Sequence, residues 1–229
     1  MAKSAAKTTG AIILVGAPGS GKGTQAKRIA QVLGVPHIST GDLLRDNVSR
    51  GTELGRKAKQ AMNRGELVSD QLVCDMVAER LRQPDCSEGC ILDGFPRTVA
   101  QAEWLDRYLL EGKLFEAQPI VIQLGVEYNS LLQRLTGRRT CPTCGRIYNI
   151  YLQPPRVAGV CDVDGTGLET RRDDREEVII ERLKAYEQQT LPLADYYRRR
   201  GRLLDVNGDL APDDVTAEAL KAIKNGNCL

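Results

Sequence analysis

A glycine-rich run that carries one lysine, "GAPGSGKGT" at residues 16–24, has the composition of a phosphate-binding loop. Glycines let backbone N–H groups turn inward on an anion, the following helix N-terminus adds partial positive charge, and Lys22 can reach the outer phosphates. A wholly apolar run, "AIILVG", precedes the loop, and a helical pattern that stops at Gly34 follows it. This order of strand, loop and helix predicts a P-loop.

The loop departs from the usual P-loop pattern at one position. The usual pattern places Ser or Thr directly after the lysine, whereas here Gly23 stands between Lys22 and Thr24. A direct hydroxyl ligand to magnesium is therefore missing or displaced. A glycine-rich turn that binds nothing is the alternative, and the strand and helix on either side argue against it.

A second group of residues, within "CPTCGRIYNIYLQPPRVAGVCDVDGTG", has the spacing of metal ligands. Cys141 and Cys144 form one C-x2-C pair, and Cys161 is followed three positions later by Asp164. Three thiolates and one carboxylate are donors that zinc accepts in a tetrahedral set, which leaves no open position and predicts a structural metal. Asp162 is the alternative fourth ligand, although its adjacency to Cys161 makes joint ligation awkward.

Two interpretations of the same cysteines involve no metal. In one, all three are buried thiols; in the other, Cys141 and Cys144 form a disulfide and Cys161 is left unpaired. A reducing compartment opposes the disulfide, and paired knuckles around an insertion with few large apolar residues favour a metal.

The composition fits an ordinary globular chain long enough for one large domain. The 229 residues are 41% hydrophobic and 27% charged, and 32 basic against 30 acidic side chains give a net charge of +2. This balance supports neither a nucleic-acid nor a membrane partner. No apolar run approaches the roughly 20 residues that span a bilayer.

The N-terminal segment "MAKSAAKTTG" lacks the apolar core of a signal peptide. We therefore expect residues 1–9 to be a flexible tail and the protein to be cytoplasmic, with reduced cysteines. The cysteines outside the cluster are then expected to be packed or surface thiols: Cys74, Cys86, Cys90 and Cys228.

A repeated pattern of apolar runs predicts the strands and helices that must position the candidate site residues. The runs "GVPHIS", "GCILDGF", "PIVIQLGV" and "GRLLDVNG" alternate with amphipathic helical stretches, which predicts an α/β fold with a doubly wound parallel sheet. Ligands gather at the carboxyl ends of the strands in such sheets. Polar motifs follow the runs at those points.

Several of these motifs occur together, in order, in one known family. With "GAPGSGKGTQA", "ISTGDLLRDNV", "GELVSDQLV", "LDGFPRTVAQA", "GRR" and "ETRRDDREEVIIERL", the chain resembles the adenylate kinases from residue 11 to about 224. The resemblance implies the P-loop nucleoside monophosphate kinase fold, with a kinase core over residues 10–229. It further implies an inserted AMP-binding segment at 39–68 and a metal-binding lid at 137–174.

The reaction implied by the resemblance is reversible transfer of the terminal phosphoryl group of Mg-ATP to AMP, giving two ADP. The nucleophile is an anionic phosphate oxygen, so no general base is needed, and His37 is the single histidine. Catalysis then rests on alignment and charge neutralisation, for which the planar guanidinium of arginine is suited.

The resemblance also implies three sets of site residues. The ATP-binding set is Gly19, Ser20, Gly21, Lys22, Gly23, Thr24, Arg138, Ile147, Tyr148 and Leu210. The AMP-binding set is Thr40, Arg45, Glu66, Leu67, Val68, Gly94, Phe95, Pro96, Arg97, Gln101, Arg171 and Arg182. The catalytic set is Lys22, Asp93, Arg97, Arg138, Arg171 and Arg182.

Within these sets the resemblance assigns individual roles. Asp93 would hold magnesium through water, although a helix or turn cap for "DGFP" is its alternative. Arg45 and Arg97 would clamp the AMP phosphate, and Gln101 would read the adenine edge. Leu210 would offer its backbone carbonyl to the ATP base.

Asp173 and Asp174 have two compatible interpretations. Acidic residues suit a helix N-terminus, so they could cap the helix predicted over "REEVIIERLKAYEQQ". The resemblance also makes them hinge residues and partners of the lid arginines.

Three other functions remain possible from the sequence. UMP/CMP kinases share the motif "DGFPR" with this chain, but the long lid and "STGDLLR" favour AMP as the phosphoryl acceptor. A regulatory GTPase would need an Asn-Lys-x-Asp motif, and a zinc-ribbon nucleic-acid module would need basic charge. We expect a monomer whose partners are ATP, AMP and ADP.

Overall fold

The computed structural model describes residues 10–112, 114–115 and 118–226. The tail expected at residues 1–9 and Cys228 lie outside these ranges. The strands are β1 (Ala11–Val15), β2 (His37–Ser39), β3 (Cys90–Asp93), β4 (Ile120–Gly125), β5 (Arg138–Thr140), β6 (Ile147–Asn149) and β7 (Leu203–Asn207). The helices are α1 (Lys22–Leu33), α2 (Thr40–Ser49), α3 (Glu53–Arg64), α4 (Asp70–Leu81), α5 (Val99–Gly112), α6 (Tyr128–Thr136), α7 (Glu176–Ala185), α8 (Pro192–Arg198) and α9 (Pro212–Gly226).

The central sheet is parallel, as the sequence predicts. Its order is β2-β3-β1-β4-β7, and every pairing between neighbours is parallel. Alternate residues of β1 enter two separate cores: Ile13 packs with Leu92 and Phe95 on one face, and Ile12 packs with Ile91 on the other. Helices therefore cover both faces, as the continuous apolar runs require.

The strand register brings the functional loops to one edge of the sheet. Asp93 pairs with Ser39 on β2 and with Leu14 on β1, so these three strands end at the same level. The loops that follow them therefore share the carboxyl edge, where ligands bind in open α/β sheets. Gly34 ends α1 in the left-handed region, with φ of 71° and its N–H on Ala30 O, as the sequence predicts.

Helices α2 and α3 follow β2 and pack very closely against each other. A β-carbon at Gly55 would lie 2.1 Å from the backbone oxygen of Asn47, so only glycine permits this contact. Thr52 fixes the start of α3, since its hydroxyl accepts from Gly55 N over 3.0 Å.

The lid is built on a short antiparallel hairpin rather than on the main sheet. Strands β5 and β6 pair Arg139 with Tyr148, and an isolated bridge joins Thr140 to Glu169. A small core holds Cys141, Tyr148 and Cys161. Across the described ranges, no helix is both long and apolar enough to cross a membrane.

Candidate active site and lid

A cavity of about 1070 Å³ opens at the carboxyl edge of the sheet, between the P-loop, the α2–α3 segment and the lid. It brings together most of the residues that the sequence nominated. Those on its wall are Gly19, Ser20, Gly21, Lys22, Gly23, Thr24, Arg45, Leu67, Asp93, Gly94, Pro96, Arg97, Arg138, Ile147, Tyr148, Arg171, Arg182 and Leu210.

The P-loop has the backbone shape that a phosphate cradle requires. Gly19 and Gly21 adopt φ of 86° and 93°, and Gly21 precedes α1 without any side-chain cap. The first N–H groups of α1 are therefore available to an anion. A β-carbon at Gly19 would also crowd Leu135 at 3.0 Å and Leu131 O at 3.2 Å, so packing as well as φ favours glycine there.

Lys22 lies folded back onto the loop. Its Nζ donates to the carbonyl oxygens of Gly16 over 2.7 Å and Ala17 over 2.8 Å. Burial lowers the pKa of Lys22 from 10.5 to about 7, against the opposing effect of the Asp93 carboxylate, and the nearby Arg97 lowers it further. A buried amine among arginines binds its proton less tightly than usual. An anion bound in the cavity would raise the pKa of Lys22 again.

Gly23, the residue that departs from the usual P-loop pattern, lies beside Asp93. A β-carbon at position 23 would be 3.2 Å from Asp93 Oδ2, so the missing side chain leaves space next to that carboxylate. Asp93 is only 9% exposed, and Nε2 of His37 lies 3.3 Å from the same oxygen. The strand-end carboxylate is thus oriented by a partner on the neighbouring strand.

The far wall is a cluster of arginines interleaved with two aspartates. Arg182 Nη1 lies 3.0 Å from Asp174 Oδ1 and 3.1 Å from Asp173 Oδ2, while Arg45 lies 3.8 Å from Asp173. Burial lowers the pKa of Arg171 to about 10, helped by neighbouring Arg138. Burial also lowers the pKa of Arg97 to about 10, helped by Arg182. So many close cations make the cavity a site for a highly charged anion.

The interpretation of Asp173 and Asp174 as helix caps is wrong. The residue before α7 is Arg175, without a side-chain cap bond, and the two aspartates lie in a short 3-10 turn, Arg172–Asp174. The Asp174 carboxylate instead accepts from Arg138 and Arg182. Charged donors hold these oxygens more strongly than backbone N–H groups would.

Five nominated AMP residues do not line the cavity. Thr40 donates to Gly94 O over 2.9 Å, Phe95 is fully buried in the core, and Val68 packs against that core. Glu66 pairs with exposed Arg64 over 2.7 Å. Gln101 is 2% exposed and lies behind the wall rather than on it.

Sequence reasoning missed Asp70, the first residue of α4. Its Oδ1 accepts from Nε2 of Gln101 over 2.6 Å, and its Oδ2 accepts from the Thr98 hydroxyl over 3.0 Å. The residue stands inside the quoted motif "GELVSDQLV", which is the one signal that could have drawn attention to it.

The four nominated lid ligands converge. One donor atom from each of Cys141, Cys144, Cys161 and Asp164 lies within 4.8 Å of every other. Cys144 Sγ is 3.6 Å from Cys161 Sγ, and Cys141 Sγ is 3.3 Å from Asp164 Oδ2. Zinc bonds of about 2.0–2.3 Å give tetrahedral ligand separations of roughly this size, so the donor set fits such an ion.

Asp164 rather than Asp162 belongs to this cluster. Asp162 Oδ1 instead accepts from the backbone N–H of Arg156 over 2.9 Å. The Thr166 N–H holds the pKa of Asp164 below its usual range, which keeps the group a carboxylate. The six cysteines of the described residues are free thiols, and no Cys141–Cys144 disulfide is formed.

The P-loop on a doubly wound parallel sheet, the basic cavity and the lid place this chain in the P-loop nucleoside monophosphate kinase class. A family model described as adenylate kinase matches residues 14–202. The chain therefore belongs to the adenylate kinase family. This membership excludes the GTPase and zinc-ribbon alternatives.

Individual relatives agree over nearly their whole length. The adenylate kinase of Thermodesulfovibrio yellowstonii is 52% identical over 204 residues, which are 89% of this chain and 94% of the relative. That of Nitrosococcus oceani is 53% identical over 205 residues, 89% of this chain and 92% of the relative. That of Archaeoglobus fulgidus is 52% identical over 198 residues, 86% of this chain and 90% of the relative.

Proposed function

We propose that the enzyme transfers the terminal phosphoryl group of Mg-ATP to AMP, giving two ADP, inside the single cavity described above. The observation that carries this proposal is the sharing of one cavity by the P-loop lysine and the arginines of the α2–α3 side and the lid. Two phosphate chains could meet there end to end, with positive charge on all sides of the transferred group.

On the ATP side, we assign the phosphates to the P-loop glycines and to Lys22. Loop backbone N–H groups would bind the phosphate oxygens, and Lys22 would leave the carbonyls of Gly16 and Ala17 to follow the transferred group. Tyr148 and Ile147 would cover the base and ribose from the lid, and Leu210 O would meet the adenine.

On the AMP side, we assign the phosphate to Arg45 and Arg97 and the base to Gln101. Arg97 is suited to this task because its Nε already donates to Gly94 O over 2.8 Å, which fixes the guanidinium at the strand edge. A planar guanidinium can grip two phosphate oxygens at once, which a lysine cannot do.

No general base is required for this reaction. The attacking AMP phosphate oxygen is already anionic, and the single histidine, His37, contacts Asp93 rather than a substrate position. Arg138, Arg171 and Arg182 would neutralise the charge that spreads over the transferred group in a loose transition state.

Two metals are implied, and the residues present fit both. Asp93, with the open space at Gly23 beside it, would hold the magnesium that arrives with ATP, which neutralises phosphate charge. The lid cluster of Cys141, Cys144, Cys161 and Asp164 would hold a structural zinc. We also propose that the enzyme acts as a monomer, since one chain supplies every group named above.

Replacement of Arg97 tests the residue assignment. Arg97→Ala should lower kcat/KM for AMP by about 10²–10³-fold, because a charge-stabilising donor is lost. Arg107→Ala is the matched control, since Arg107 is an exposed arginine on the next helix, α5, and its rate should equal that of the wild type. A normal rate for a folded Arg97→Ala enzyme would reject the assignment.

A further inference from the structure

The side-chain amide of Gln101 is bonded at both ends. Its Oε1 accepts from the backbone N–H of Arg97 over 2.7 Å, and its Nε2 donates to Asp70 Oδ1 over 2.6 Å. Arg97 and its neighbour Pro96 form the cavity wall, so this amide lies directly behind that wall. At 2% exposure it is shielded from bulk water, which would otherwise weaken any recognition by hydrogen bonds.

The two partners determine which way the amide faces. A backbone N–H can only donate, and a carboxylate can only accept. Turned over, Gln101 would set its NH₂ against the Arg97 N–H and its oxygen against the Asp70 carboxylate. Two buried contacts would then be repulsive, so one amide orientation is strongly preferred.

Thr98 holds Asp70 in this arrangement. Its hydroxyl donates to Asp70 Oδ2 over 3.0 Å and accepts from the backbone N–H of Gln101 over 3.1 Å. The hydroxyl proton is therefore committed to the carboxylate, and the Asp70 oxygen facing Gln101 keeps its place. The hydrogen bonds among Asp70, Thr98 and Gln101 thus form a ring that joins the start of α4 to the start of α5.

Beyond these two bonds the amide has one further N–H and one further carbonyl lone pair, which the AMP base would have to reach past the wall that Pro96 and Arg97 form. Side by side, these match the adenine edge, where N1 accepts and the 6-amino group donates. A 6-oxopurine presents the reverse pattern, because its N1–H donates and its O6 accepts. An amide that could turn over would hydrogen-bond to either kind of purine. A fixed amide hydrogen-bonds only to the 6-aminopurine edge.

We propose that Asp70 is a specificity-positioning residue: by fixing the orientation of the Gln101 amide, it restricts the acceptor to 6-aminopurine monophosphates and rejects 6-oxopurine monophosphates. This inference rests on the proposed function, in which Gln101 reads the base of AMP. Asp70 touches no substrate itself and acts only through Gln101.

The test compares AMP with IMP, which differs from AMP only along the edge in question. Steady-state kcat/KM for each acceptor is measured with Mg-ATP for the wild type, Asp70→Ala, Asp70→Asn and Gln101→Leu. Asp75→Ala is the matched control, because Asp75 is an exposed carboxylate on the same helix that bonds only Gln71 in the structure, over 2.8 Å. Thermal midpoints and KM for ATP are recorded for every variant.

We expect Asp70→Ala to lower the AMP-to-IMP ratio of kcat/KM at least about tenfold, with KM for ATP unchanged. Asp70→Asn should give a smaller loss, since a neutral acceptor holds Nε2 less strongly, and Asp75→Ala should match the wild type. If Asp70→Ala fails to fold, the Asp70→Asn ratio decides: a value below that of the wild type supports the proposal, and an equal value overturns it.

Failure of this inference and failure of the proposed function give different results. If Gln101→Leu collapses the ratio while folded Asp70→Ala keeps the wild-type value, Gln101 reads the base without Asp70, and the inference is overturned. If Gln101→Leu also keeps the wild-type ratio, Gln101 does not read the base, and the assignment on which the inference rests falls with it.

Discussion

Arg138 donates from Nε to Asp174 Oδ2 over 2.7 Å, and a second N–H of the same guanidinium contacts the other oxygen of this carboxylate. The Asp174 side chain is 0% exposed and also accepts from Arg182. One buried carboxylate therefore holds two of the cavity arginines, one from the lid hairpin and one from α7. The position of the lid arginine is set by this ion pair as well as by the hairpin itself.

Removal of the carboxylate should be costly, because the largely buried Arg138 loses its ion-pair partner and the largely buried Arg182 keeps only Asp173. We expect Asp174→Ala to lower the free energy of unfolding by roughly 3–5 kcal/mol. At about 2–4 °C per kcal/mol, the thermal midpoint should fall by roughly 6–20 °C in a calorimetric scan. Asp195→Ala, which removes a 71% exposed partner of Arg198, should change the midpoint little. Equal midpoints for the two variants would contradict the role given to Asp174.

The lowered pKa of Lys22 predicts proton uptake when nucleotide binds. With a pKa of about 7 in the free protein, Lys22 is mostly neutral at pH 8, and the phosphates of ATP favour its charged form. Binding of Mg-ATP at pH 8 should therefore take up nearly one proton, and at pH 6 almost none. Calorimetric titration in two buffers of different ionisation enthalpy measures this number, and Lys22→Met should abolish it. Uptake that persists in Lys22→Met would assign the proton to another group.

The same shift affects stability in a defined direction. The folded-state pKa of Lys22 lies below its ordinary value of 10.5, so the unfolded chain binds more protons between about pH 7 and 10.5. The Lys22 contribution to stability should therefore rise with pH across this window and be least favourable below pH 7. Lys22→Met should be stabilised relative to the wild type chiefly on the acid side, as thermal scans across pH would show.

The lid cluster predicts a metal that stabilises the protein without taking part in turnover. Removal of the ion with a chelator should lower the thermal midpoint and leave phosphoryl transfer largely intact at low temperature. Asp164→Ala should lose bound zinc, and Asp162→Ala, one position from Cys161, should retain about one ion per chain by elemental analysis. Loss of turnover in a folded, metal-free enzyme would contradict a purely structural ion.

The sheet could be predicted from sequence because its three central strands, β1, β3 and β4, are buried and mostly apolar, and strand ends then place residues such as Asp93. The P-loop could also be predicted, because its strand, glycine-rich loop and helix are adjacent in the sequence. The partners of Asp174 could not be predicted, since Arg138 reaches it from 36 residues away and outcompetes the expected capping role. The contact of Asp70 with Gln101 likewise depends on how two helices pack, which no local pattern encodes.

The most direct test of phosphoryl transfer to AMP is a coupled assay that supplies Mg-ATP with AMP, UMP, CMP or GMP in turn. AMP should give the highest kcat/KM, by at least about 10²-fold, because the wrong base edges leave the buried groups around Gln101 unpaired. Two ADP should form for each ATP consumed. An acceptor that equals or exceeds AMP would contradict the function assigned to this cavity.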